Sequence, residues 1–147
     1  MKNERGVTLL ELIVVWVIIG IGATLMVPQI GAWSHHYRLG SAAREIVSTL
    51  RLAQVEAVTR NTQHRVVFNP ETRAYVLQRD AGGGNWVDER SLSLPQTIGM
   101  KDITLAGNTV LFSPNSTASS GSLKLFNIKG AEKRITVAMA TGRVRIE

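Results

Sequence analysis

The sequence predicts an α+β protein, with one long N-terminal helix packed on antiparallel β-sheet. Three observations carry that expectation. Residues 7–30 are almost wholly apolar, residues 31–60 repeat apolar positions at helical spacing, and the chain from His64 onward breaks into short β-type runs parted by turn residues. The order along the chain is a short polar leader (1–6), an apolar helix (7–30), and a polar domain (31–147) whose helix continues to about residue 60.

The apolar segment comes first. From Val7 to Ile30 there is no Lys, Arg, Asp or His and one acid, Glu11. Twenty-four helical residues span roughly 36 Å, enough for a bilayer core of about 30 Å. A secretory signal would be shorter and would end at a small-residue cleavage site, whereas this stretch runs straight into an amphipathic helix. Lys2 and Arg5 precede it, which favours the N-terminus inside and the C-terminal part outside. A carboxylate at Glu11 costs on the order of 2.5–3.5 kcal/mol in a membrane helix. Two readings stay open on that ground: a functional acid with a partner, or an acid that snorkels to the headgroups near Arg5. Gly20, Gly22 and Pro28 interrupt the same helix, at about 1 kcal/mol for glycine and about 3 for proline. Both residues are commoner in lipid-embedded helices than in soluble ones.

The second half of the helix is amphipathic. Trp33, Tyr37, Ile46, Val47, Leu50, Ala53, Ala57 and Val58 recur at helical spacing, and Arg38, Arg44, Glu45, Arg51 and Glu56 fall mostly between them. Met26, Trp33 and Tyr37 read as interfacial or core contacts. A continuous helix from about Thr8 to Arg60 would be roughly 80 Å long.

The β region opens with His64–Phe68 and Ala74–Leu77 around the turn Asn69-Pro70-Glu71-Thr72. Gly82-Gly83-Gly84-Asn85 reads as a hairpin tip before Trp86-Val87; a phosphate cradle would need a following Lys-Ser/Thr and a helix. Further strands are expected near 98–105, 109–113, 122–128, 134–140 and 143–146, with 113–121 a polar loop.

The composition limits the chemistry. The chain has 147 residues, a net charge of +6 and no cysteine, so disulfides and thiolate metal sites are excluded. His35 and His36 are adjacent, which is not the i, i+4 spacing of a helical metal pair, and His64 opens a strand. All three histidines read as surface residues, no spacing supplies three metal ligands, and no serine carries a nucleophile signature. The expectation is a protein that is not an enzyme and holds no cofactor. Asn115-Ser116-Thr117 matches a glycosylation sequon of little weight.

Residues 121–147 carry Lys124, Lys129, Lys133, Arg134, Arg143 and Arg145 against Glu132 and Glu147. On a strand Arg143 and Arg145 share a face, and arginine's planar fork suits phosphate. The counter-reading is a solvated edge strand charged against aggregation.

The string Gly6-Val7-Thr8-Leu9-Leu10-Glu11-Leu12-Ile13-Val14-Val15 resembles the class III signal of type IV prepilins. The resemblance implies cleavage between Gly6 and Val7 by a prepilin peptidase and N-methylation of Val7, where the family usually has phenylalanine. It also implies that Glu11 neutralises the N-terminal amine of a neighbouring subunit during assembly, and that the Gly20, Gly22, Pro28 stretch loosens as the filament forms. The tail, from Phe112-Ser113-Pro114-Asn115 through Gly142-Arg143-Val144-Arg145, resembles the end of the GspH/FimT family of minor pilins and pseudopilins, with Ser116 where members usually carry glycine. FimT-like members used in DNA uptake have a similar Gly-Arg-x-Arg, which implies non-specific DNA contact through Arg143 and Arg145, helped by Lys124, Lys133 and Arg134.

The leading expectation is therefore a minor pilin of a type IV pilus, single-pass in a bacterial inner membrane with a periplasmic C-terminal domain, contacting other pilins and DNA. The alternative is a minor pseudopilin of a type II secretion system. A third reading is a membrane-anchored binding module that never assembles.

Overall fold

A computed structural model describes residues 8–147, excluding the side chains of 25–36. The order of elements is α1 (Leu9–Thr59), β1 (His64–Asn69), β2 (Ala74–Asp80), β3 (Trp86–Ser93), β4 (Ile98–Lys101), β5 (Thr109–Phe112), β6 (Gly121–Asn127), β7 (Glu132–Val137) and β8 (Val144–Ile146). The α+β expectation is met. The chain divides into two compact units, Met1–His35 and His36–Glu147.

In the first unit α1 begins at a threonine cap. The Thr8 carbonyl and hydroxyl both accept from the Glu11 N–H, at 3.1 and 3.3 Å. An acid in this first turn also suits the positive end of the helix dipole. The described side chains that follow are exposed, large apolar ones included: Leu9, Trp16 and Ile18 are 75%, 70% and 63% accessible. Among the described residues no helix is long and apolar enough to cross a membrane. The expected spanning segment 7–30 lies partly outside them, as do Gly6, Val7 and the side chains of Met26, Pro28, Trp33, His35 and His36.

The second unit is built on the rest of α1. Leu39, Ala42, Ala43, Ile46, Val47, Leu50, Ala53 and Ala57 are buried, a 3–4 residue repeat that forms one stripe. Four of the eight are alanines, so the helix can lie close to what it covers. Tyr37 and Val58, expected on this stripe, are instead exposed. Tyr37 precedes the first buried turn. Val58 lies one residue beyond the last buried alanine, about 100° round the helix from it.

The helix stops at an asparagine. Asn61 takes the left-handed conformation (φ 51°). The Thr62 N–H donates to the Ala57 carbonyl and the Asn61 N–H to that of Val58, at 3.2 and 3.4 Å. This is a Schellman cap with asparagine in glycine's usual place.

Two four-stranded antiparallel sheets follow, ordered β3-β2-β1-β5 and β4-β6-β7-β8. Their inner residues, among them Val66, Phe68, Tyr75, Leu77, Leu123, Leu125, Ile135 and Val137, form one core with the α1 stripe. The β1–β2 turn is closed as its sequence suggests, with Asn69 Oδ1 accepting from the Glu71 and Thr72 N–H groups. The Gly82–Asn85 segment is the β2–β3 hairpin tip; Gly82, Gly83 and Gly84 all have positive φ.

Several strand limits differ from expectation. The run expected over 98–105 ends at Lys101, because Asp102 turns left-handed (φ 49°) and a short 3-10 turn follows at Ala106–Asn108. The expected 134–140 strand is β7, ending at Val137, and Arg143 precedes β8. The 113–121 loop is closed by hydrogen bonds from Ser113 N to Thr117 O and Ser116 N to Ser113 O. Ser116 there keeps a left-handed φ of 66°, so the serine adopts the conformation that glycine takes at no steric cost.

The α1 stripe gives a stability expectation. Leu50 is fully buried at its centre. Leu50→Ala should lower the unfolding free energy by about 2–5 kcal/mol, read as a lower midpoint in chemical denaturation of the detergent-solubilised chain.

Candidate functional site

Three regions hold residues suited to function. The first is the start of α1. Glu11 is exposed, one turn beyond the Thr8 cap. Gly20 and Gly22 lie inside continuous helix, and a Cβ at either would meet open space. Close packing within the chain therefore does not explain these glycines. Nearby, the Thr24 hydroxyl donates back to the carbonyls of Gly20 and Ile21, at 2.9 and 2.8 Å. Such back-bonding competes with the helical ladder and slightly destabilises or bends a helix.

The second region is the C-terminal basic set, which the fold splits. Lys124 pairs with Asp102 at 2.6 Å and lies 3.9 Å from Glu132, which Lys101 also engages. These partners shift the acids: hydrogen bonds from Lys124 and Lys101 hold Asp102 and Glu132 below the usual carboxylate range. Lys133 sits opposite buried Leu125 on β6, while Arg134 sits opposite Lys124, so the two point to different faces of the sheet. Arg143 and Arg145 flank buried Val144 and are both exposed, as the alternation requires. Arg134, Arg143 and Arg145 make no ion pair among the described residues.

A residue outside the expected set joins them. Arg51, on α1, lines a cleft with Val47, Arg143, Val144, Arg145, Ile146 and the one acid there, Glu147. Its position among the helix charges was legible in the sequence, but its proximity to the tail was not. Gly142 makes the approach possible. Its φ is +58°, and a Cβ there would come within 2.5 Å of the Gln54 side chain, which donates to the Thr141 carbonyl.

The third region corrects the reading of His64. It is not a surface residue: it is fully buried, at the first position of β1 and facing α1. Glu56 of α1 and Glu89 of β3 converge on it, with carboxylate oxygens 3.5 and 3.6 Å from Nε2. Glu89 is also held by Arg60 at 2.8 Å and Arg79 at 3.1 Å. Burial, then the neighbouring Glu89, raises the Glu56 pKa. For Glu89 burial acts the same way but is outweighed by Glu56, Arg60, His64 and Arg79, so its pKa is lowered. The sequence spacing gave no three-ligand cluster, yet the fold gathers one histidine and two acids.

The comparisons with known proteins agree with this architecture. Residues 42–141 match the family model described as type II transport protein GspH, and residues 1–27 match the prokaryotic N-terminal methylation motif. A relative from Xanthomonas campestris pv. campestris, "Type II secretion system protein H", is 26% identical over 98% of this chain and 83% of its own length. The minor pseudopilin EpsH of the Vibrio cholerae type 2 secretion system superposes with a TM-score of 0.65 at 16% identity, over 75% of this chain and 96% of that one. The Pseudomonas aeruginosa type IV minor pilin FimU gives 0.63 at 18% identity, over 78% and 92%. The fold is that of minor pilins and pseudopilins, which are structural components rather than enzymes. The chain belongs to the GspH family.

Proposed function

We propose that this chain is a minor pseudopilin of a type II secretion system, anchored in the inner membrane by its N-terminal helix and then built into a pseudopilus. The carrying observation is the GspH match across the sheet-bearing unit, to which the system H relative adds weight. The exposed apolar start of α1 supports the anchoring. Side chains such as Leu9, Trp16 and Ile18 find no cover within their own unit. At roughly 25 cal/mol per Å² of apolar surface, water is a poor environment for them, and lipid or neighbouring pilin helices would cover them. In this reading Met1–Gly6 is removed by the prepilin peptidase, Val7 is methylated, and Glu11 takes the amine of a neighbouring subunit. The loosening of Gly20, Gly22 and Pro28 belongs to the same assembly step.

A second reading, DNA contact, rests on Arg143 and Arg145 lying exposed beside Arg51. Lys124, tied to Asp102, contributes less to it, and Lys133 faces away.

Processing is the first test. Intact-mass measurement on protein from its native host should show a chain that begins at Val7 and carries one added methyl group; a chain still beginning at Met1 overturns the class of anchor proposed.

Glu11 gives the second. Both Glu11→Ala and Glu11→Gln should insert in the membrane normally yet fail to crosslink into pseudopili, since stranding one member of a buried ion pair costs about 3–5 kcal/mol. Normal incorporation of the Gln variant would assign Glu11 to the helix start alone.

For DNA, duplex titrated against the full chain in detergent should bind weakly, with a log–log salt slope of about −2 to −3 that flattens in Arg143→Gln/Arg145→Gln. No binding at low salt leaves the secretion reading alone.

A further inference from the structure

Glu56, His64 and Glu89 come from three separate elements, α1, β1 and β3. One ligand atom from each can be chosen so that all lie within 4.8 Å of one another. The His64 ring is fully buried, and its Nε2 has no hydrogen-bond partner among the described residues. Its other nitrogen fixes the tautomer. Nδ1 lies 3.2 Å from the Thr62 carbonyl, which can only accept, so Nδ1 carries the proton. In the neutral ring Nε2 then presents a lone pair to two carboxylates. Glu56 Oε2 is likewise buried without a hydrogen-bond partner.

Arg60 reaches the Oε1 atoms of both acids, Glu56 at 3.5 Å and Glu89 at 2.8 Å, but His64 Nε2 and the two Oε2 atoms that face it have no cation between them among the described residues. The separations of 3.5 and 3.6 Å are too long for N–H···O hydrogen bonds. They suit the edge of a metal's coordination shell. With metal–nitrogen and metal–oxygen distances of about 2.0–2.2 Å, tetrahedral ligands stand roughly 3.3–3.5 Å apart.

The surroundings fit the same purpose. An imidazole that donates its second N–H to a backbone carbonyl is the usual outer shell of a metal-bound histidine. Arg60 and Arg79 both take Glu89 Oε1, which leaves Oε2 turned toward His64. A β-bulge aims Glu89. The β2–β3 register passes from Leu77↔Arg90 to Gln78↔Asp88, leaving Glu89 as the extra residue. A surface cleft of about 400 Å³, lined by Leu52, Glu56, Arg60, Leu77, Glu89 and Arg90, reaches the two acids from solvent, while His64 lies beneath it. The two arginines oppose a cation, so binding should be weaker than at a closed four-ligand zinc site.

We propose that Glu56, His64 and Glu89 bind a divalent transition-metal ion of the zinc type, which ties the C-terminal turn of α1 to β1 and β3. Imidazole with two carboxylates favours zinc-like ions over calcium or magnesium, which prefer all-oxygen shells.

The test is calorimetric titration of Zn²⁺ into the chelator-stripped full chain in detergent, with Co²⁺ absorption as a report on tetrahedral geometry. One ion should bind per chain, raise the unfolding midpoint and give the intense visible bands of a tetrahedral Co²⁺ site, while Ca²⁺ gives no midpoint shift. Glu89→Gln keeps an acceptor for Arg60 and Arg79 and should still fold, yet lose affinity by more than about tenfold. His64→Gln should do the same, and Glu89→Gln decides if that variant does not fold. A His35→Asn/His36→Asn variant should bind as the unaltered chain does. No binding by the unaltered chain, a loss under tenfold in Glu89→Gln, or loss of binding in the His35/His36 variant overturns the proposal.

Discussion

The second unit depends on one constraint: the α1 stripe from Leu39 to Ala57 must be covered on the side that both sheets share. Its alanines at 42, 43, 53 and 57 keep the helix surface low, while Ile46 and Leu50 fill the space between. A helix surface of this kind fits against a sheet at short range, and the interior then tolerates little change in volume. Both sheets contribute to the core that this stripe joins. Val66 and Phe68 on β1, Leu123 and Leu125 on β6, and Ile135 and Val137 on β7 alternate with outward residues because only one face of each strand meets the core.

The end of the same helix determines what lies beside it. Asn61 at a left-handed φ reverses the chain with its last carbonyls satisfied. That turn sets the Thr62 carbonyl under the His64 ring and starts β1 with a buried histidine. Glu56 reaches the ring from one turn earlier on α1, and the bulge at Glu89 brings a second acid from the far side of β2. Three local devices, a helix cap, a strand start and a bulge, thus converge on one polar cluster around the buried His64. Buried polar groups of this kind are costly unless paired, so the arginines at 60 and 79 belong to the same unit.

Nearby on α1, Gly142 brings the C-terminal segment against Gln54, so that Arg143 and Arg145 stand beside Arg51. The second sheet's remaining cations are differently placed. Lys101 and Lys124 are spent on Asp102 and Glu132, whereas Lys129, Lys133, Arg134, Arg143 and Arg145 make no ion pair among the described residues. A charge count over the tail overstates the free cations for this reason: Asp102, which lies outside the tail, neutralises Lys124 from the neighbouring strand end.

The sequence by itself determined the α+β class, the long helix, the Asn69 turn, the triple-glycine hairpin and the GspH-type ends, because each is a local matter of spacing, propensity or motif. It also marked Glu11 as anomalous, since an acid in an apolar run is visible without coordinates. Tertiary structure alone decided which strands share a sheet, that Tyr37 and Val58 leave the core, and that Lys124 and Lys133 part from the tail arginines. It also buried His64. Read along the chain, Glu56, His64 and Glu89 have no metal-ligand spacing, being 8 and 25 residues apart. They meet only because the chain reverses at Asn61 and the β2–β3 hairpin folds a bulged strand back toward α1, and such contacts depend on long-range pairing that local spacing does not encode.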